Sequence, residues 1–253
     1  EEKIGAFRKA INDWAAKEYP VPKPLPLKLD AVADIAELTV PTVQELSRLA
    51  PFGSGNPVPV FLLQNAAVDG SWPLGSEGRH CRIRLRQGGA ACFVSLFGTA
   101  PDDLPYRMGT VVDAAVEVSI FQGRGGPMVS CHCCAMRPAG LGNAPAEQAA
   151  RFDAFLSGTA LPDDERLACL PTRADTAAVY RMVRTGNVFA DDLQPLFATA
   201  GPENTGKTLA SLTALEQLGL IERRGSRYQP VEVTGKKDLS SAPVLRRLAE
   251  GEG

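Results

Sequence analysis

The chain has 253 residues, 44% hydrophobic and 22% charged, with 27 Lys and Arg against 29 Asp and Glu and a net charge of −2. That size accommodates two small domains and a connector, and that charge balance excludes a general attraction to nucleic acid, so any such surface must be a local patch. No apolar run reaches the roughly 18 residues of a membrane span, and six cysteines at 81, 92, 131, 133, 134 and 169 are not spread like a disulfide framework, which suits a reduced, cytoplasmic setting.

Ile4, Phe7, Ile11 and Trp14 repeat at helical spacing and predict an amphipathic helix over 1–17. A chain that opens inside a helical pattern is expected to be a piece of a longer protein. Pro20, Pro22, Pro24 and Pro26 predict an extended spacer. A short strand is expected at 27–30. Thr42 is the expected cap of a helix reaching 49, with Glu45 in the capping-box position. Residues 50–61 then read Ala-Pro-Phe-Gly-Ser-Gly-Asn-Pro-Val-Pro-Val-Phe. Gly tolerates positive φ and Pro fixes φ, so Pro51, Gly53, Gly55, Asn56, Pro57 and Pro59 predict a rigid, shaped loop, with Phe52 and Phe61 as packing anchors.

From 58 to 138 the pattern changes to strands. Five are predicted, over 60–68, 79–86, 91–97, 110–121 and 128–136, separated by Gly/Pro-rich turns. Five strands in this span suit a Greek-key barrel of the OB type. A Gly/Ala/Pro linker over 138–145 leads to a helix over 148–156. Helices over 172–184, 191–198 and 209–218 follow. A hairpin then turns at Arg224-Gly225-Ser226, and the order suggests a winged-helix-like module. The expected fold is therefore α+β and multidomain. It comprises a connector over 1–49, an OB-fold over 50–138, a linker with a short helix over 139–164 and a mainly helical winged-helix-like domain over 165–253.

The run Arg79-His80-Cys81-Arg82-Ile83-Arg84-Leu85-Arg86 carries the clearest physical signal. Side chains alternate along a strand, so His80, Arg82, Arg84 and Arg86 share one face and Cys81, Ile83 and Leu85 pack the barrel. Phosphates attract Arg and bases stack on aromatics, so a basic face with Phe97 and Phe121 nearby suits single-stranded nucleic acid. A plain solvated outer face is the competing reading. Gln122 and Arg124 lie on a Gly-rich turn that joins two strands and could reach a phosphate.

Cys131-His132-Cys133-Cys134 invites a zinc reading, but alternation sends 131 and 133 one way and 132 and 134 the other. Gly201-Pro202-Glu203-Asn204-Thr205-Gly206-Lys207-Thr208 matches the spacing of a phosphate-binding P-loop. Such a loop needs a buried strand before it, and the preceding residues look helical, so Asn204 or Thr205 as a helix cap is the better reading. Lys207, Arg223, Arg224 and Arg227 remain candidates for a secondary contact with a phosphate or an acidic peptide.

The stretch Pro51-Phe52-Gly53-Ser54-Gly55-Asn56-Pro57-Val58-Pro59-Val60-Phe61 resembles the Pro-Phe-Gly-x-Gly-Asn-Pro-x-Pro-x-Phe signature of RecJ, the bacterial single-stranded-DNA exonuclease family. Gly78-Arg79-His80-Cys81-Arg82 resembles the family's Gly-x-His-Leu-Lys, with Arg82 keeping the charge of the usual Lys. Phe121-Gln122-Gly123 resembles its aromatic-Asn-Gly turn, and Ala135 stands where the family tends to have Asp. Residues 1–19 resemble the end of the DHH-associated domain, and 165–250 resemble an additional C-terminal domain, through Thr172-Arg173, Tyr180, Leu218-Gly219-Leu220-Ile221 and Gly235-Lys236-Lys237-Asp238-Leu239. The resemblance implies 5′-to-3′ degradation of single-stranded DNA in repair and recombination. The family's Asp-His-His and Gly-Gly-His nuclease motifs do not occur here, so no catalytic residue is expected. The resemblance implies Mg or Mn in the parent enzyme, no cofactor in this stretch, and inactivity when alone. The alternative is a protein-interaction module that docks a partner such as single-stranded-DNA-binding protein.

Overall fold

The computed structural model describes residues 3–18, 26–123, 125–235 and 237–251. The chain divides into two compact units, one of residues 27–141 and one of residues 1–26 with 142–253.

The first unit is a closed β-barrel. A two-residue strand β1 (Ala31–Val32) pairs in parallel with the start of the long β2 (Val60–Leu74). The strand expected at 27–30 is thus displaced to 31–32. Between them lies the short helix α2 (Val40–Glu45), continued by a 3-10 turn, Leu46–Leu49. Its cap is Thr39, not Thr42: the Thr42 amide donates to Thr39 Oγ1 at 3.3 Å. Pro41 sits in the first turn, where its missing N–H costs nothing.

The remaining strands are β3 (His80–Gln87), β4 (Ala90–Leu96), β5 (Val111–Gly123) and β6 (Gly126–Pro138). β2 belongs to both halves of the barrel. Its first part pairs with β5 and its second part with β3, all antiparallel. β4 pairs with β3, β6 with β5, and a parallel contact between β4 and β6 closes the barrel. Two irregularities bend β2, one around Asn65 (φ 53°) and a second between Val68 and Gly70. Such bulges re-aim side chains, and the second one does so at the candidate site. They also explain why β2 runs through Trp72 to Leu74, six residues beyond the 68 expected from alternation.

The barrel interior holds Leu63, Val68, Cys81, Ile83, Leu85, Val94, Val112 and Val116, all essentially inaccessible to solvent. Each large aliphatic side chain of this kind contributes about 1.5–3 kcal/mol on burial. The connection from β4 to β5 holds only a 3-10 turn, Pro101–Asp103. Beyond it Leu104 and Tyr106 are buried, and Tyr106 Oη donates to Met136 O at 2.8 Å, plugging that end.

The second unit is mainly helical. α1 (Ile4–Glu18) carries Ile4, Phe7, Ile11 and Trp14 along one exposed stripe. Pro20, Pro22 and Pro24 of the expected spacer lie outside the described residues. The rest contains α3 (Ala144–Leu156), α4 (Asp163–Ala168), α5 (Arg173–Arg184), α6 (Gln194–Ala200) and α7 (Thr205–Gln217). The hairpin β7 (Ile221–Arg224) with β8 (Arg227–Pro230), and α8 (Pro243–Glu250), complete it. Thr172 and Asp175 form a reciprocal capping box at the start of α5.

The order helix, helix, helix, hairpin is as expected, and α7 sits at its centre. Ala210 and Ala214 face a core with Phe152, Phe155, Val244 and Leu248, while Leu212 and Leu215 face another with Val179, Val183 and Ile221. Its polar residues are used internally as well: Ser211 and Thr176 hydroxyls lie 3.2 Å apart in the interior. No described helix is long and apolar enough to cross a membrane.

Candidate nucleic-acid interface

β3 alternates as the sequence predicts. Cys81, Ile83 and Leu85 are fully buried, and His80, Arg82, Arg84 and Arg86 point outward. The register sets their neighbours. Arg82 stands between Trp72 of β2 and Ser95 of β4, and Ser95 stands beside His132 of β6. Arg84 stands between Gly70 and Phe93.

Two aromatic groups rise from this face. In the first, Trp72 and Phe93 meet edge to face with centroids 6.1 Å apart, and the Arg82 guanidinium lies 4.4 Å above the Phe93 ring. Trp72 is 46% and Phe93 44% exposed. Gly70 makes the Trp72 position available, because a Cβ there would come within 2.7 Å of the indole. In the second, Phe97, 55% exposed, lies 5.2 Å from His80 and 5.1 Å from His132. His80 is fixed by the Gly98 amide, which donates to Nδ1 at 2.9 Å, so the neutral ring carries its proton on Nε2. His132 Nδ1 is buried without a hydrogen-bond partner among the described residues.

Sequence reasoning missed Trp72 because alternation ends the strand at Val68. The signal was present in Gly70-x-Trp72, a glycine and an indole two residues apart and therefore on one face.

The basic stripe is less free than it reads. No acid interrupts the sequence from 78 to 100, but the second bulge turns Asp69 of β2 onto the same face. Asp69 Oδ2 lies 2.8 Å from Arg86 Nη2 and 3.1 Å from Arg84 Nη1. The hydrogen bond from Arg86, with the charges of Arg86 and Arg84, holds the Asp69 carboxyl below the ordinary 3.8. Arg79, in the turn before β3, pairs with Glu77. Arg82 has no carboxylate within ion-pair reach among the described residues, which makes it the best placed of the stripe for a phosphate or base. Phe121 and Gln122 are exposed on β5 near its turn into β6, away from the Trp72 and Phe97 groups in register, and Arg124 lies outside the described residues.

The signature loop is a structural joint. Gly53 and Asn56 form a small antiparallel bridge, and Asn56 Nδ2 donates to Leu49 O at 2.7 Å and Pro51 O at 3.0 Å. Pro57 and Pro59 lead the chain straight into β2. Phe61, half-buried, packs on the barrel core, and Phe52 lines a shallow apolar recess of about 390 Å³ with Val43, Leu46 and Ile120. Gly53 and Gly55 have open space around them, and neither φ is positive, so tight turning rather than left-handed backbone accounts for them.

Elsewhere the charged candidates are occupied. Arg223 Nη2 meets Asp191 at 2.6 Å, Arg224 meets Glu222, and Arg227 lies 4.6 Å over the Phe189 ring. Lys207 is half-buried in the first turn of α7. The segment before it is α6 and a 3-10 turn rather than a strand, so the P-loop spacing has no P-loop structure. Asn204 occupies the cap position without capping: its Nδ2 donates to Ala200 O at 3.0 Å. Gly206 instead packs against Cys169, where a Cβ would come within 2.5 Å of the sulfur. On β6, Cys131 and Cys133 point into the barrel and Cys134 points out; burial pushes the Cys133 thiol up to about 12. No group of three metal-ligating side chains converges among the described residues.

The family described as RecJ OB domain matches residues 29–133. The single-stranded-DNA-specific exonuclease RecJ of Bacillus subtilis is 27% identical over 86 residues, which is 34% of this chain and 11% of that protein. The chain thus spans about a tenth of the length of this curated relative. Among solved structures, Thermus thermophilus RecJ with Mn2+ is 28% identical with a TM-score of 0.40, covering 54% of this chain and 19% of that one. The same protein with Mg2+ is 21% identical, also with a TM-score of 0.40, covering 83% and 41%. The signature loop and nearly all of the five-stranded barrel lie within the residues that match the RecJ OB domain family.

Proposed function

We propose that the outer face of the barrel binds single-stranded DNA, as part of a RecJ-like 5′-to-3′ single-strand exonuclease acting in DNA repair and recombination. In this reading the barrel holds the strand and presents its 5′ end to a nuclease centre using Mg or Mn, supplied by the rest of such an enzyme. The Trp72–Phe93–Arg82 cluster carries the proposal. It joins two exposed aromatic surfaces to a guanidinium with no carboxylate partner among the described residues, on the β3–β4 face that OB-folds use for oligonucleotides. Duplex DNA hides its base faces in the stack, so aromatic stations favour single strands. The test is titration of labelled oligo-dT at several salt concentrations. Affinity should fall with salt at about 0.7 log units per log unit for each phosphate neutralised. Equal affinity for duplex, or no binding at low salt, removes the proposal.

A second reading concerns residues 142–253. α7 is covered on both sides and the arginines of β7 and β8 are paired, so neither is available for a DNA groove. An open groove of about 850 Å³, floored by Leu170, Leu239 and Leu245 and edged by charges of both signs, Arg173, Lys237 and Arg246 with Asp238 and Glu250, favours a protein partner instead. Single-stranded-DNA-binding protein is the partner to test. Removal of 140–253 should abolish its capture and leave oligo-dT binding intact.

A further inference from the structure

The two aromatic groups on the outer face are not one continuous platform. Phe93 of β4 and Phe97, one residue past its end, are four residues apart, which separates their Cα atoms by about 13 Å at the usual extended rise. Between them lie Ser95 and Arg82, and Arg82 leans over Phe93 rather than over Phe97. Trp72 also leans to the Phe93 side, as its 6.1 Å edge-to-face contact shows. The Phe97 side is built differently, from two imidazoles.

Successive bases in a stacked strand are about 3.4 Å apart. With their Cα atoms roughly 13 Å apart, Phe93 turned to Trp72 and Phe97 turned to the two imidazoles, neighbouring bases of a stacked strand do not reach both stations. Resting on the single-strand reading above, we propose that the barrel engages two non-adjacent nucleotides: one base on Trp72 and Phe93, another on Phe97, with at least one nucleotide bridging them over Ser95. The stations differ in chemistry. The first offers an indole edge and a guanidinium, which tolerate any base face. The second offers the Nε2–H of His80, a donor held in place by the Gly98 bond to Nδ1. A donor pairs with a base carbonyl or ring nitrogen, so the Phe97 station adds one fixed hydrogen-bonding contact to its stacking surface.

The discriminating experiment uses the full chain and short dT oligomers, each with 5-iodouracil at one position, with photocrosslinks located by mass spectrometry. Crosslinks to Trp72 or Phe93 should come from one position, and crosslinks to Phe97 from another at least two nucleotides away. Trp72→Ala and Phe97→Ala should each weaken oligo-dT binding roughly 5- to 100-fold. Their effects should multiply in the double variant, because the sites are too far apart to couple. Crosslinks to both groups from the same or adjacent positions would overturn the inference while leaving single-strand binding intact. So would binding that survives both substitutions unchanged. Failure of the wild-type chain to bind oligo-dT at all would remove the single-strand reading itself.

Discussion

Asp69 Oδ2 accepts a hydrogen bond from Arg86 Nη2 at 2.8 Å, across two strands that would not bring them together without the bulge between Val68 and Gly70. The same oxygen meets Arg84 at 3.1 Å, so one carboxylate restrains two of the arginines on the outer face. Asp69→Asn removes that restraint while keeping the size of the side chain. Oligo-dT should bind more tightly at low salt, and the salt dependence should steepen by up to about 1.4, at 0.7 for each phosphate newly neutralised. Anisotropy titrations at several salt concentrations measure both.

The pH dependence of this pair has a definite sign. The Asp69 carboxyl is held below its ordinary 3.8, chiefly by the Arg86 hydrogen bond. A depressed carboxylate stabilises the fold above its unfolded value, and that contribution disappears as pH falls through the folded value. Barrel stability should therefore lose this part below about pH 3.8, and the Asp69→Asn variant should show a shallower loss over the same range. Denaturant midpoints followed from neutral to acid pH check this.

Gly70→Val tests how Trp72 is held. A Cβ at 70 would stand 2.7 Å from the indole, so the ring must leave its place beside Phe93. β2 tolerates valine at an outward position, so the barrel should fold. Oligo-dT affinity should fall by an amount comparable to that for Trp72→Ala, within roughly 5- to 100-fold. The indole fluorescence should shift to the red.

The arginines of the hairpin should be silent for DNA. Arg223 and Arg224 are engaged with Asp191 and Glu222. Arg223→Ala and Arg224→Ala should each leave oligo-dT affinity unchanged within about twofold, because the facing carboxylates cancel the charge that would draw a phosphate, and half-buried Lys207→Ala should do the same. A larger loss in the same titration would assign DNA contacts to residues 142–253.

Asn56→Ala should loosen the signature loop. The substitution leaves Leu49 O and Pro51 O without the amide that bridges them. Both carbonyls are near solvent, so the cost should be about 1 kcal/mol, read as a lower urea midpoint. DNA affinity should change far less, because the loop is a joint outside the outer face.

Much of the barrel was legible in the residues. Strand alternation identified β3, including which side chains face inward, and the Gly/Pro turns marked all five barrel strands. The bulges were not legible, since a residue inserted into a strand leaves no compositional mark. That one gap had two effects: it shortened β2 before Trp72 and hid Asp69, so the basic stripe read as free of acid. The cap at Thr39 was displaced because Thr42 has an acidic residue three positions on, whereas Pro41 in the first turn was the stronger signal. For α7 the helix was evident but its enclosure was not. Thr205, Thr208 and Ser211 score as polar, yet they are buried because their small side chains let α3 and α5 approach closely.

The closure of the barrel has a consequence for how a ligand would act on it. β4 and β6 meet through Val94 with Cys131 and Ser95 with His132, a short parallel seam between distant parts of the chain. Long antiparallel ladders hold the other joins, so the seam is where closure entropy is offset by the fewest hydrogen bonds. It also runs beneath Phe97 and His132, which touch each other across it. A nucleotide resting on both residues would span the weakest join of the cylinder, and would serve as a clasp on the barrel as much as the barrel serves as a grip on the strand.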